Sequence, residues 1–119
     1  MPQAELFGLP AAALQQIRQC MANFGTIDQI ILYGSRAMET YRPGSDIDLV
    51  VLGEHFSHQQ LLQLMTALDD LLLPYQFDIC RRQDIGHQDL LAHIERVGQV
   101  FYQRGSECER SRYNKGVIF

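Results

Sequence analysis

A short polar segment in the first half of the chain carries residue types suited to chemistry at phosphorus. Gly34 and Ser35 follow an apolar run, and Asp46 and Asp48 open a second apolar run. Because glycine has no Cβ to block close approach, backbone N–H groups and the Ser35 hydroxyl can hold phosphate oxygens at this bend. We therefore expect a phosphate-binding turn that begins at Gly34.

Three aspartates form a candidate metal site. Asp46 and Asp48 lie two positions apart at the start of a predicted strand, so both carboxylates face the same way, with Cα atoms about 6.6 Å apart. Asp78 lies between Phe77 and Ile79 in another apolar run. Neighbouring strands lie about 4.8 Å apart, so the third carboxylate joins the cluster if that run pairs beside the first strand. Hard oxygen ligands favour two Mg²⁺ ions, or Mn²⁺ in their place, about 3.5–4 Å apart.

Such a pair of metal ions serves in-line displacement at phosphorus. In this interpretation Asp78 binds the catalytic metal and helps activate an incoming hydroxyl, while Asp46 and Asp48 bridge both ions. Each residue also has a structural explanation when it is taken alone. Gly-Ser is a common turn, Asp46 could simply begin a strand, and Asp78 could be a charge that protects an edge strand from aggregation. The combination of all of them favours the catalytic interpretation.

The elements that must position these residues follow from hydrophobic periodicity and turn signals. Ser57 and Gln60 form a capping-box pattern, with Phe56 and Leu61 at the staple positions, so a helix should begin there. The predicted elements are a helix from Pro10 to about Gly25, strands over 27–33, 46–52 and 75–80, a helix after Ser57, a helix around 90–97 and a strand over 99–102. This order predicts an α+β fold: a small mixed β-sheet with helices mainly on one face and the carboxylates lining an open groove.

Composition limits the class of protein. The chain has 119 residues, 46% of them hydrophobic, and a formal net charge of −4. That size fits one domain, predicted over residues 1–104, with a disordered or partner-docking tail over 105–119. The acidic balance argues against broad nucleic-acid binding, and no apolar run approaches the roughly 20 residues of a membrane span. Three well-separated cysteines are typical of free thiols in a soluble, cytoplasmic protein, and self-association is also expected.

The spacing of Gly34-Ser35, ten residues, then Asp46 and Asp48 resembles the signature of the DNA polymerase β-like nucleotidyltransferase superfamily, and Asp78 falls where that superfamily places its third carboxylate. The run over 42–49 is similar to the minimal nucleotidyltransferases called MNT or MntA proteins. The resemblance implies an antitoxin that transfers AMP from ATP to a tyrosine hydroxyl of a HEPN-type ribonuclease toxin. It also implies a nucleotide-binding set composed of Gly34, Ser35, Arg36, Arg42 and Ser45.

In one departure from the family pattern, Met38 and Glu39 stand where relatives frequently carry a basic residue and then glycine. This change alters the turn and its charge near the phosphates.

Two alternatives to that function remain open. The first alternative is a catalytically inactive binding module that neutralises a HEPN-type toxin by contact. The second, transfer to a small molecule, ranks last because such enzymes usually carry an additional substrate domain that this chain is too short to contain.

Overall fold

The computed structural model describes residues 6–42 and 44–105. The predicted tail beyond Gly105 and Pro43 of the turn before Asp46 lie outside this part of the chain. In chain order the elements are α1 (Ala11–Ala22), β1 (Gln29–Tyr33), α2 (Ser35–Met38), β2 (Ile47–Leu52), α3 (His58–Asp69), β3 (Phe77–Arg81), a 3₁₀ turn (Arg82–Asp84), α4 (Gln88–Val97) and β4 (Gln99–Gln103).

The four strands form one mixed sheet in the order β3-β2-β1-β4. Strand β1 is antiparallel to both β2 and β4, while β2 and β3 run parallel. The carboxyl end of β1 therefore lies beside the amino ends of β2 and β3. This topology confirms the predicted α+β class with a small mixed sheet. No helix among the described residues is long and apolar enough to cross a membrane.

The two faces of the sheet are covered unequally. Helices α1 and α3 pack on one face and enclose the main core, whose buried members include Ile17, Met21, Leu49 and Leu64. Helix α4 packs on the other face over a small cluster in which Ile31, Val50 and Ile94 are buried. Alternation along β2 explains the division, because successive strand residues point to opposite faces. The expectation that helices pack mainly on one face is confirmed.

Element boundaries differ from the predicted ones where local hydrogen bonds compete with the sheet. Strand β1 begins at Gln29 because the N–H of Ile27 donates to the carbonyl of Phe24 in a turn. The 3₁₀ turn after β3 was not predicted from the sequence. It is closed by a short-range ion pair between Arg81 and Asp84, 2.8 Å apart. Neither difference moves the strand segments that carry the candidate aspartates.

The predicted capping box at the start of α3 is confirmed, and it supports a first testable prediction. The Ser57 hydroxyl accepts from the N–H of Gln60 at 3.1 Å, and the Gln60 side chain accepts from the N–H of Ser57 at 3.1 Å. Ser57→Ala should lower the free energy of unfolding by about 1 kcal/mol, because one N–H at the helix start loses its acceptor. Urea unfolding measures this, with Gln59→Ala in the same turn as the control. Equal effects of the two substitutions would contradict the cap's role.

Candidate functional site

The bend at Gly34 connects β1 to α2 and brings backbone donors to the amino ends of β2 and β3. Gly34 has φ of 80°, in the left-handed region that favours glycine, and a Cβ built on it would collide with the Asp48 carboxylate. Among the described residues, the N–H groups of Ser35 and Arg36 and the Ser35 hydroxyl have no hydrogen-bond partner. The bend thus presents unused donors next to Asp48.

The sheet register brings the predicted aspartates together. In the parallel pairing of β2 with β3, Asp48 lies directly beside Asp78, and Asp46 precedes β2 by one residue. Asp46 and Asp78 are exposed, and Asp48 is half-buried. Phe77 and Ile79 pack into the main core on the opposite face, as the alternation of β3 predicts. The condition stated from the sequence, that the two strands are neighbours, is therefore met.

The negative charge of Asp48 is disfavoured first by burial and then by the neighbouring carboxylates. Burial raises the pKa of the Asp48 carboxyl above its ordinary value, and the negative charges of Asp78 and then Asp46 raise it further, while His93 acts in the opposite direction. A cation placed among these oxygen donors would relieve the repulsion, and an all-carboxylate donor set suits Mg²⁺. Within residues 6–42 and 44–105, however, no three His, Cys, Asp or Glu side chains converge closely enough to hold a metal ion as they stand.

Two residues that the sequence analysis missed, Tyr33 and His93, border the aspartates. Tyr33 pairs with Asp48 in the antiparallel register of β1 and β2, and its ring meets that of His93 edge-on at 6.3 Å between centroids. Burial, then the neighbouring Cys80, Asp78 and Asp48, hold the pKa of the Tyr33 phenol well above its usual range. The position of Tyr33 directly before Gly34 was a usable signal. For His93 no such signal existed, because its place depends on how α4 packs over the sheet.

Arg36 differs from the expectation that it meets the phosphates. Its side chain is buried, with 2% of the residue's surface exposed. Its Nε and Nη2 groups donate to the carbonyl of Ser45 at 3.1 and 2.9 Å, and its Nη1 donates to the carbonyl of Phe7 at 3.0 Å. The guanidinium also lies over the rings of Tyr41 and Tyr75, 5.4 and 5.6 Å from their centroids. Arg36 therefore fixes the loop before β2 to the segment before α1.

The other two predicted nucleotide contacts form a turn. The N–H of Arg42 donates to the Ser45 hydroxyl at 2.8 Å, and the N–H of Ser45 donates to the carbonyl of Arg42 at 2.9 Å. Arg42 is exposed. This turn leads directly into Asp46. Contact of Arg42 or Ser45 with a nucleotide remains a prediction.

The unusual Met38 and Glu39 end α2 in a strained backbone conformation. Glu39 has φ of 63° and caps the helix in the left-handed region, and Met38 is exposed. Left-handed backbone is costly for a residue with a Cβ, which explains physically why glycine suits this position. Glutamate at position 39 therefore strains the backbone as well as changing the charge of the turn.

Glu39→Gly is expected to raise the free energy of unfolding by about 0.5–1 kcal/mol. The left-handed strain is removed, and the greater backbone entropy of glycine in the unfolded chain offsets part of the gain. Thermal unfolding measures the effect, and Glu39→Ala is the control, because it removes the charge and keeps the strain. A gain of the same size in both variants would assign the effect to charge.

A known protein family and several solved structures resemble this chain. A family model described as "Polymerase beta, Nucleotidyltransferase" matches residues 15–107. No curated protein sequence matches the chain.

Three solved structures illustrate the fold. A toxin–antitoxin complex with AMP-PNP has a TM-score of 0.63 at 19% identity over 81% of this chain and 77% of the other. The tri-AMPylated HEPN toxin of Shewanella oneidensis in complex with MNT antitoxin gives 0.57 at 18% identity, over 82% and 76%. A mutant of the MntA–HpeT toxin–antitoxin gives 0.62 at 17% identity, over 81% and 77%. At such identities the likeness shows a shared fold.

Proposed function

Because the chain belongs to the polymerase beta nucleotidyltransferase family, we propose that it transfers AMP from ATP to a hydroxyl group of a partner protein in a Mg²⁺-dependent reaction. The observation that carries the proposal is the register of β2 and β3, which sets Asp48 beside Asp78 next to the Gly34 bend. A family fold alone does not specify a reaction, whereas this set of side chains and donors suits nucleotidyl transfer.

Each part of the site has a role in the proposal. Asp46, Asp48 and Asp78 would hold two Mg²⁺ ions once their side chains rotate toward one another, with Mn²⁺ as a substitute. When bound, the ions would neutralise triphosphate charge and favour ionisation of the acceptor hydroxyl. The N–H groups of Ser35 and Arg36 and the Ser35 hydroxyl would bind phosphate oxygens of ATP, since they are donors at the start of a short helix.

The proposed transfer is a single displacement at the α-phosphorus of ATP. The acceptor oxygen forms a bond to this phosphorus, and the bond from the phosphorus to the oxygen that bridges to the β-phosphate breaks. That electron pair leaves with pyrophosphate. The acceptor proton passes to the exposed Asp78 carboxylate and from there to water.

A HEPN-type toxin is the partner that we propose as the acceptor. The solved structures that share this fold include a complex of a tri-AMPylated HEPN toxin with MNT antitoxin and a toxin–antitoxin complex with AMP-PNP. In this chain, the exposure of Asp46 and Asp78 leaves the carboxylates open to a large acceptor. An accessible site suits a protein hydroxyl better than a small substrate, which is usually enclosed. The chain would then act as the antitoxin of a toxin–antitoxin pair.

The test is incubation of the chain with α-labelled ATP, Mg²⁺ and a HEPN-type protein encoded beside it. Label should appear on the partner, with pyrophosphate released, and Asp78→Asn should abolish labelling. Glu54→Gln is the matched control, because it removes an exposed carboxylate after the far end of β2. Full labelling by Asp78→Asn would overturn the proposed catalytic role of the cluster.

The alternative, a binding module that neutralises the toxin by contact, is favoured by one observation. The aspartates do not converge into a ready ligand set among the described residues. Combining Asp46→Asn with Asp48→Asn separates the two functions. Neutralisation of the toxin by this double variant at wild-type strength would support contact alone, whereas loss of neutralisation with retained complex formation would support transfer.

A further inference from the structure

Strand β3 forms an open edge of the sheet. The N–H of Ile47 donates to the carbonyl of Gln76 at 2.9 Å, which fixes the phase of the parallel ladder between β2 and β3. In that phase Asp78 and Cys80 direct their N–H and C=O groups toward β2, and Phe77 and Ile79 direct theirs outward. No described residue bonds to the backbone groups of Phe77 and Ile79.

At the opposite edge of the sheet, a side chain occupies a backbone group of strand β4. On β4, the carbonyl of Phe101 accepts a hydrogen bond of 2.7 Å from the Nε of Arg18. Side chains that occupy edge groups in this way discourage pairing with another chain. The β3 edge lacks such a cap within residues 6–42 and 44–105, and it is the edge that carries Asp78.

We propose that the acceptor binds as an extended segment that pairs with the outer edge of β3, with its hydroxyl-bearing residue beside Asp78. This inference rests on the proposed function and adds how the acceptor is held. A segment added at this edge lies about 4.8 Å from β3, and its residue opposite Asp78 points to the same face of the sheet. The added strand would thus deliver its hydroxyl on the carboxylate side and away from the main core.

Charge identifies the occupant as a basic segment of another protein. Asp78 is exposed on this edge strand, and Asp46 is exposed just before the start of the neighbouring β2. The charge of Arg81 at the far end of β3 is paired with Asp84, and the chain carries a formal net charge of −4. Lysine or arginine residues next to the hydroxyl would therefore be attracted to it. A second copy of this chain fits poorly, because antiparallel pairing of two β3 strands would bring the Asp78 carboxylates of both copies close together.

Backbone amide protection provides the direct test. The probe is the peptide Lys-Thr-Val-Tyr-Val-Thr-Lys, and the control is the same peptide with alternate amides N-methylated so that it cannot pair. In the free ¹⁵N-labelled chain, the amides of Phe77 and Ile79 should exchange with solvent faster than those of Asp78 and Cys80. The unmodified peptide should slow exchange at Phe77 and Ile79, and the methylated peptide should not. Equal effects of both peptides, or no protection at β3, would overturn the inference.

A matched pair of variants adds a functional readout. Phe77→Pro removes one outward N–H, and Phe77→Val removes the same ring while it keeps the N–H. We expect the KM for AMP transfer to the peptide to be about tenfold higher in Phe77→Pro than in Phe77→Val, with a similar kcat. Equal KM values in the two variants would count against edge pairing.

The outcomes distinguish this inference from the proposed function. Transfer of AMP to the peptide without protection of the β3 edge would overturn the inference and leave the transferase function standing. Protection of the edge without transfer would support the docking surface and remove the transferase function.

Discussion

Replacement of Arg36 by lysine is expected to lower the free energy of unfolding by about 3 kcal/mol, as hydrogen bonds of a buried charged group are lost. The guanidinium donates twice to the Ser45 carbonyl and once to the Phe7 carbonyl, and it lies over two tyrosine rings. An ammonium group cannot reproduce this planar fork, so at least one partly buried carbonyl loses its donor.

Urea unfolding measures the effect, with Arg42→Lys as the matched control. Arg42 is exposed, so its replacement should change stability by no more than about 0.5 kcal/mol. A similar small effect in both variants would show that the observed bonds of Arg36 contribute little. Because Ser45 directly precedes Asp46, Arg36→Lys should also reduce AMP transfer under conditions in which the variant is folded.

Asp48→Asn should lower AMP transfer at least about 100-fold while leaving the metal-free protein as stable as before or more stable. Loss of a hydrogen-bond partner behind a metal ligand already costs about 10–100-fold, and loss of a proposed ligand should cost no less. The stability effect has the opposite sign because the Asp48 charge is half-buried beside Asp78 and Asp46. Labelled transfer and thermal unfolding without Mg²⁺ measure the two effects, with Glu54→Gln as the control. A fall in both activity and metal-free stability would contradict this account.

The pH dependence of stability tests the same residue. The folded-state pKa of Asp48 is raised above its ordinary value of 3.8, first by burial and then by the two neighbouring carboxylates. Protonated Asp48 therefore favours the folded state below that value, and this contribution disappears as the pH rises through the folded pKa. Over this window the wild type should lose more stability with rising pH than Asp48→Asn. Parallel pH profiles of the two proteins would count against the repulsion.

The side of the sheet on which Asp48 and Asp78 lie could be predicted from the sequence because it depends on a short-range rule, whereas their adjacency depends on which strands pair. Alternation along two apolar strands sends Asp48 and Asp78 to one face, and parallel pairing of those strands then suffices to make them neighbours. The capping box at Ser57 is equally local, since its two hydrogen bonds join residues three positions apart. The cap and the facing of each strand need only the periodicity of one element, whereas the pairing of β2 with β3 was a condition that the sequence left open.

The role of Arg36 could not be predicted, because its partners are distant in sequence. Its guanidinium lies among Phe7, Ser45, Tyr41 and Tyr75, which the chain brings together only after α1 and β3 have packed. An arginine beside a phosphate-binding bend is an equally good candidate for an exposed anion contact when only its neighbours in sequence are known. The burial of the Arg36 side chain in the folded structure distinguishes a structural role from an exposed anion contact.

The small apolar cluster beneath α4 affects how easily this helix could move aside for a bound macromolecule. Within residues 6–42 and 44–105, Ile31, Val50 and Ile94 are the fully buried members of this cluster, and α4 contributes Ile94 together with the partly buried Leu90. Releasing one such side chain from its packing costs about 1.5–3 kcal/mol. Because this cluster is smaller than the main core, local opening of α4 should cost less free energy than opening of the layer formed by α1 and α3. Displacement of α4 would widen the face that carries the aspartates and would leave the packing of α1 and α3 against the sheet in place.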